Sequence, residues 1–219
     1  MVLWLANLLG VTDHLAATRA SYDAVADNYT EFVAGLLEGN PMMRAVLAAF
    51  AELVDGPVVE AGCGPGHITN YLASLGVEIH GIDLAPRMVE IARSAYPELR
   101  FEVGSMTDLG LADGSLGGLI AWYSIFHLPP DELPGVFAGF HRVLSPGGRL
   151  LIGTHVGDDE HVRPSEAYGG VAVSYEAYFQ PAERIVELVR SAGFTITAQL
   201  VEPGNKPRRS YLSLFAQKD

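Results

Sequence analysis

The nine residues from 58 to 66, Val-Val-Glu-Ala-Gly-Cys-Gly-Pro-Gly, carry more potential chemistry than any other stretch of this chain. Two valines run into a carboxylate, Glu60, and then into a loop with glycine at 62, 64 and 66. A helix-forming stretch, 67–75, follows. A strand, a glycine turn and a helix in succession let a ligand touch main-chain atoms, because no side chains stand in the way. Loops of this kind usually cradle phosphate, but the dinucleotide spacing is not met. G-x-G-x-x-G counted from Gly62 needs glycine at 67, where His67 stands. Glu60 would also repel a pyrophosphate, whereas it would attract a cationic ligand.

A second carboxylate, Asp83, closes the apolar stretch 77–82. It stands about twenty residues beyond the loop, where a fold of this type places a ribose-binding acid. There it would accept from both ribose hydroxyls; its competing role is to open the turn before Pro86. Following a glycine loop, the ligand role is the stronger reading. Candidate bases come from the seven histidines. His127 follows the fourth apolar strand and His155 the fifth, both at the edge where a substrate would approach. Imidazole titrates near neutral pH, so His127 is the first candidate for general base and His155 the second. His67, beside the glycine loop, could orient a ligand, and His141 falls in a helix as a surface residue. The single cysteine, Cys63, reads as a small packing residue. It allows no disulfide framework and suits a cytoplasmic protein, and no Cys/His cluster has metal spacing, so no metal is expected.

The elements that must position these groups alternate strand with helix. Strands are expected at 57–61, 77–83, 100–103, 116–121 and 149–153, with two more near 195–201 and 210–217. Helices are expected within 12–39, with Ala16, Tyr22, Val25 and Tyr29 near a helical period, and at 42–53 after the break at Asn40-Pro41. Further helices begin at Pro86, cover 131–144 with an apolar stripe (Leu133, Val136, Phe137, Phe140, Leu144), and cover 181–192. The pattern predicts a single α/β domain: a Rossmann-like, doubly wound, seven-stranded, mostly parallel sheet with a C-terminal antiparallel hairpin strand at one edge. It divides into an N-terminal helical cap (1–55), a cofactor-binding core (56–153), a lid-like insert (154–180) and a C-terminal helix and strand pair (181–219). The apolar stretch 1–11 is too short to span a bilayer and lacks a cleavage site. It reads as a helix, with Trp4 and its leucines packing over the ligand mouth or against a second copy of the chain in a homodimer.

At this point the chain resembles the class I S-adenosylmethionine-dependent methyltransferases of the small-molecule type. Their first motif matches Val58, Glu60, Gly62, Cys63, Gly64 and Gly66; their second matches Gly81-Ile82-Asp83-Leu84-Ala85-Pro86-Arg87-Met88. The turn Ser145-Pro146-Gly147-Gly148-Arg149-Leu150 resembles the one leading into their fifth strand. The resemblance covers about residues 20–216 and implies S-adenosylmethionine as cofactor. It implies cofactor contacts from Glu60, Ala61, Gly62, Gly64, Gly66, Asp83, Leu84 and Met88, and from Gly104, Ser105 and Met106 around the adenine. The family often has an acid at 105 and a serine at 85; here Ser105 brings no charge and Ala85 no capping hydroxyl. Main-chain groups of Ala121 and Trp122 would meet the methionine part, with Tyr123 a further cofactor contact. Tyr22 and Tyr29 resemble a helix that closes on the cofactor or acceptor in such enzymes.

A formal charge of −12 argues against a nucleic-acid partner. The aromatic strand mouth at 122–126 suits a sulfonium and an apolar acceptor. Tyr168, Tyr175, Tyr178 and Phe179 in the insert favour an apolar or aromatic acceptor. The expected reaction is methyl transfer to an oxygen or nitrogen of a small molecule, without membrane involvement. A protein that binds S-adenosylmethionine or S-adenosylhomocysteine without catalysis is the alternative. A nicotinamide oxidoreductase shares the fold class but lacks the glycine spacing.

Overall fold

The computed structural model describes residues 2–204 and 206–219, with side chains from residue 14 onward. Trp4 and the leucines expected to pack over the ligand mouth therefore lie outside the described side chains. Three helices open the chain: α1 (Val2–Val33), α2 (Leu36–Gly39) and α3 (Pro41–Leu53). The break at 40–41 is also a helix start. The Asn40 side chain accepts from the Met43 N–H at 2.9 Å, and Pro41 takes the first turn, where its missing N–H is no loss. β1 (Val58–Ala61), α4 (His67–Ser74), β2 (Ile79–Asp83), α5 (Pro86–Ala95) and β3 (Phe101–Val103) follow. Then come β4 (Leu116–Trp122), a 3-10 turn (Ile125–His127), α6 (Leu133–Val143) and β5 (Leu144–Val156).

Between β5 and α7 (Ala182–Ser191) lie two small antiparallel ladders. β6 (Glu160–Val162) pairs with β9 (Ala177–Phe179), and β7 (Glu166–Ala167) with β8 (Val171–Ala172). β10 (Phe194–Pro203) and β11 (Ser210–Lys218) close the chain.

The main sheet has seven strands in the order β3-β2-β1-β4-β5-β11-β10. The strands from β3 through β5 pair in parallel, whereas β11 enters antiparallel between β5 and β10. The expected hairpin is present, with its second strand turned inward. Alternation along the strands fixes the two layers. Leu119, Ala121, Leu150 and Ile152 face α6 and α7, packing against Phe137, Phe140, Ile185 and Val189. Ile120, Trp122 and Leu151 face the opposite way, toward Leu47 and Phe50 of α3 and Ile68 and Leu72 of α4. Each layer buries a continuous apolar core, which is the main stabilising term for a domain of this size.

Strand order reverses between β1 and β4. In a doubly wound sheet the crevice beyond the strand ends at this reversal is where ligands bind. α1 crosses that edge, with Ala26 packed on Ala85 and Met88 of α5. Of its expected packing face, Val25 is buried but Ala16 is exposed; Thr18 takes the inward position instead. Likewise His141 is half-buried rather than superficial, edge-on to Phe194 at 5.1 Å. Among the described residues no helix is long and apolar enough to cross a membrane.

Candidate active site

A cavity of about 610 Å³ lies beyond the ends of β1, β2 and β4 and beneath α1. Its first wall is the glycine loop. Gly62 (φ 85°) and Gly64 (φ 53°) occupy the left-handed region that other residues avoid. A Cβ on Gly62 would sit 2.4 Å from the Ser124 Cβ, while one on Gly64 would face the cavity and meet Tyr29 at 3.5 Å. The loop is a cradle that side chains would fill.

Two acids stand behind it. Glu60 is 1% exposed and accepts a hydrogen bond from the Thr69 hydroxyl. Burial outweighs that bond and pushes its carboxyl up to about 8, so the acid is held ready for a positive partner. Asp83 accepts from the Gly64 N–H at 2.7 Å and the Ala85 N–H at 2.8 Å. It does both things expected of it: it lines the cavity, and it opens the turn before Pro86 while tying the glycine loop to β2. Burial raises its pKa, and the two N–H bonds oppose the rise.

Leu84, Met88, Gly104, Ser105 and Met106 border the same region. The Ser105 hydroxyl is engaged locally, 2.7 Å from the Thr107 hydroxyl and 3.2 Å from its N–H. Trp122 lines the cavity with an indole N–H that is buried and has no partner among the described residues. His67 also borders it, with an Nδ1 that has no partner among the described residues and a pKa lowered by burial to about 4.

Three expected contacts do not border the cavity. Ala61 is in the core, its carbonyl taking the Ser124 hydroxyl at 2.9 Å. Gly66 lies behind the loop against Phe101, and Ala121 faces α6 from the sheet interior. Cys63 is buried against Val89, Ala92 and Phe101, as a packing residue should be.

The roof and far wall are aromatic. Tyr22 and Tyr29 descend from α1 and meet edge to face at 5.7 Å. The Tyr22 hydroxyl lies 2.7 Å from His127 Nε2, and His127 Nδ1 lies 2.9 Å from the Glu176 carbonyl oxygen. A carbonyl only accepts, so Nδ1 carries the proton; Nε2 is then the acceptor and the Tyr22 hydroxyl donates to it. The histidine is thereby fixed in one tautomer. Burial lowers its pKa to about 4, so it is neutral at neutral pH. His155 stands further along, with no side-chain hydrogen bond among the described residues. Burial and then the charges of Arg209 and Lys206 lower its pKa to about 4.

Both histidines border the cavity, together with Tyr123, Ser124, Phe126 and Leu128. The insert supplies Tyr168 to the cavity, and Tyr175 stacks on Tyr22 at 5.6 Å. Tyr178 and Phe179, expected alongside them, do not border the cavity. Tyr178 stacks on His161 at 4.3 Å and donates to Glu176; Phe179 packs on Phe126 at 5.9 Å.

The sequence reading missed two groups. Leu15, Thr18, Phe32 and Val33 reach the cavity from α1 and continue the stripe of Tyr22 and Tyr29 at helical spacing. Glu202, Tyr211 and Ser213 reach it from β10 and β11. Nothing local signals the second group, because strand pairing alone brings it to the site.

Residues 58–148 match a family described as a methyltransferase domain. The chain is 27% identical over 202 residues to an O-methyltransferase, cnsE, of Penicillium expansum, covering 80% of this chain and 71% of that protein. It is 29% identical over 143 residues to the demethylmenaquinone methyltransferase of Tropheryma whipplei, covering 64% of this chain and only 59% of that protein. Among solved structures it superimposes with a TM-score of 0.72 and 20% identity on the 1,6-didemethyltoxoflavin-N1-methyltransferase of Burkholderia thailandensis, solved with its substrate and S-adenosylhomocysteine. That superposition covers 95% of this chain and 90% of the other. A glycine cradle backed by a buried acid, with a second acid at the end of β2, fits a nucleoside that bears a cationic sulfonium. With that geometry and these relatives, residues 58–148 carry a methyltransferase domain within the class I S-adenosylmethionine-dependent methyltransferase fold, and S-adenosylmethionine is the cofactor this implies.

Proposed function

We propose that this chain methylates an oxygen or nitrogen of a small apolar or aromatic molecule. The observation that carries the reading is the extent of the cavity. Beyond the glycine loop and the two acids it continues into a chamber walled by Phe32, Leu36, Met43, Tyr123 and Tyr211, more than a nucleoside site alone requires. α1 and the insert, joined by Asn28 donating to the Tyr168 carbonyl at 2.9 Å and Ser174 N–H donating to Ser21 Oγ at 2.9 Å, act as the lid.

S-adenosylmethionine supplies a methyl group on a positively charged sulfur, already activated for displacement. The chain then has three tasks. Glu60, Asp83 and the open face of the glycine loop would hold the cofactor, and Ser105 and Met106 would border its adenine. The aromatic walls hold the acceptor in line and exclude water. Tyr22 and His127 take away the acceptor's proton. As the acceptor atom gains its methyl group it becomes strongly acidic. Its proton passes to the Tyr22 oxygen while the Tyr22 proton moves to His127 Nε2, and the Glu176 carbonyl steadies the imidazolium through Nδ1–H. A weakly basic histidine suffices, because the proton is released by a cationic product.

Incubation with methyl-labelled S-adenosylmethionine and a panel of hydroxy- and amino-substituted arenes, followed by mass spectrometry, tests the reading. Label in an oxygen- or nitrogen-methylated product supports it. Tight cofactor binding with no transfer to any member would favour a non-catalytic binding protein.

A further inference from the structure

Three strands that are distant in sequence meet in register at the far end of the cavity. His155 of β5 pairs with Tyr211 of β11, and Tyr211 pairs with Glu202 of β10. Residues directly across a ladder share a face, so their side chains form one row. All three border the cavity. Tyr123 completes the arrangement. Its φ of 51° lies in the left-handed region, and its N–H donates to the Gly153 carbonyl at 2.7 Å. Strain of this kind persists where the surroundings hold a side chain in a required place. Here it sets the Tyr123 ring 5.0 Å from His155 and 6.1 Å from Tyr211, which themselves lie 5.2 Å apart.

The charges beside this row are unequal in their engagement. Glu60 and Asp83 are bonded to Thr69 and to the loop N–H groups, and they serve the cofactor. Glu202 is half-buried and has no hydrogen bond or ion pair from its side chain among the described residues. Its charge acts on Tyr123, whose pKa is raised first by burial, then by Tyr211 and Glu202. The cations of the neighbouring turn, although the charges of Arg209 and Lys206 reach His155, are paired elsewhere or stand outside the cavity. Arg208 lies 3.9 Å from Asp158; Arg209 pairs with Glu160 at 2.8 Å and stacks over Phe179 at 4.0 Å. Lys206 is exposed and does not border the cavity. Among the lining residues described, Arg19 is the sole Lys or Arg, against three carboxylates.

A carboxylate beside two phenol faces and an imidazole, with no cation of its own, is a complement to an ammonium group. We infer that Glu202, Tyr211 and Tyr123 form the acceptor-recognition subsite and take the protonated amine of an amine-bearing aromatic acceptor. The inference rests on the methyltransferase reading of the cavity and adds the class of acceptor. The amine is the handle by which the acceptor is held, and the Glu202 carboxylate excludes its anionic analogues.

Benzylamine, benzyl alcohol and benzoate are close in shape and differ in charge, so they serve as probes. Titration of each into the full chain saturated with S-adenosylhomocysteine should show benzylamine binding at least tenfold more tightly than benzyl alcohol, and benzoate weakest. Glu202→Gln should erase the preference for benzylamine without changing S-adenosylhomocysteine affinity. Glu202→Asp, which keeps the charge, should retain part of it, and Tyr211→Phe should retain more than Tyr211→Ala. Equal affinity for the three probes, no binding of any, or an undiminished preference in folded Glu202→Gln would each overturn the subsite. Failure of S-adenosylhomocysteine itself to bind would instead strike at the methyltransferase reading, so the two failures are distinct.

Discussion

The two halves of the cavity are built in opposite ways. The half assigned to the cofactor comes from one continuous βαβαβ segment, 58–106, in which each candidate contact follows from local spacing: a strand end, a turn that admits only glycine, a second strand end. The acceptor half is assembled from the α1–α3 region, the segment 123–128 after β4, the end of β5, the insert and the C-terminal hairpin. One half is rigid main chain with two acids, and the other is a set of rings on separate elements. A motif can therefore specify what the first half binds. The second half can be retuned by substitutions on any of five elements without disturbing the first, which is how one fold serves many acceptors.

The sharpest way to break the cofactor half is at Gly64. Its φ is 53°, and a Cβ would enter the space in front of Tyr29. Gly64→Val should abolish S-adenosylmethionine binding through both backbone strain and steric exclusion. Calorimetric titration of the folded variant checks this, and near-normal affinity would put the cofactor elsewhere. The matching cut in the acceptor half is His127→Ala, with Tyr22→Phe as its partner. Removal of a proton-accepting group typically lowers turnover by ~10²–10⁴-fold. Each variant should fall by that order and the double variant scarcely further, since the pair acts as one unit. S-adenosylmethionine affinity should stay nearly constant. A variant that loses cofactor affinity while keeping turnover at saturation would move Tyr22 and His127 into the cofactor half.

Asp83→Ala should have an intermediate effect. A hydrogen bond to a charged group is worth about 1.5–3 kcal/mol, and cofactor affinity should drop by that order. The Gly64 and Ala85 N–H groups also lose their acceptor, so the melting temperature should fall together with affinity. Asp83→Asn, which keeps an acceptor oxygen, should recover more of the stability than of the affinity. Equal recovery of both would mean that Asp83 works through the loop alone.

The same division explains what was legible in the sequence. Glu60, the glycine loop and Asp83 could be read because their spacing is local and chemically restrictive. The face of α1 was misread at Ala16, because a helix with small residues on several sides leaves its buried stripe ambiguous. β5 was read as 149–153 but runs from Leu144 to Val156, since the row at His155 is strand only by virtue of pairing with Tyr211. The ladders β6–β9 and β7–β8 span two or three residues per strand, too few for any periodicity to register. Glu202 and Tyr211 carried no signal because their place depends on the register of three strands. That His127 is bound to both Tyr22 and Glu176 is likewise a tertiary fact, invisible from composition.

The smallest expected effect separates the halves by pH. In the acceptor half His127 and His155, and at the glycine loop His67, have pKa values lowered to about 4 from 6.5. The unfolded chain binds protons there that the folded chain refuses, so stability rises with pH between about 4 and 6.5 and gains nothing more from these groups above that. Glu60 has the opposite sign. Its pKa is raised from 4.5 to about 8, so the folded chain keeps a proton that the unfolded chain has released. Stability therefore falls as pH rises through that interval. A group of this kind contributes up to about 1.4 kcal/mol per pH unit, so its share between pH 6.5 and 8 is roughly 2 kcal/mol. Denaturant titrations of the cofactor-free chain should show stability declining over this window, where the three histidines are silent. Glu60→Gln should flatten the decline. Saturating S-adenosylmethionine should flatten it as well, because a cation beside Glu60 favours its ionised form, and by linkage cofactor binding should tighten as pH rises from 6.5 to 8. A pH-independent cofactor affinity, with the decline unchanged in Glu60→Gln, would show that Glu60 is ionised throughout and that its burial is compensated by Thr69 alone.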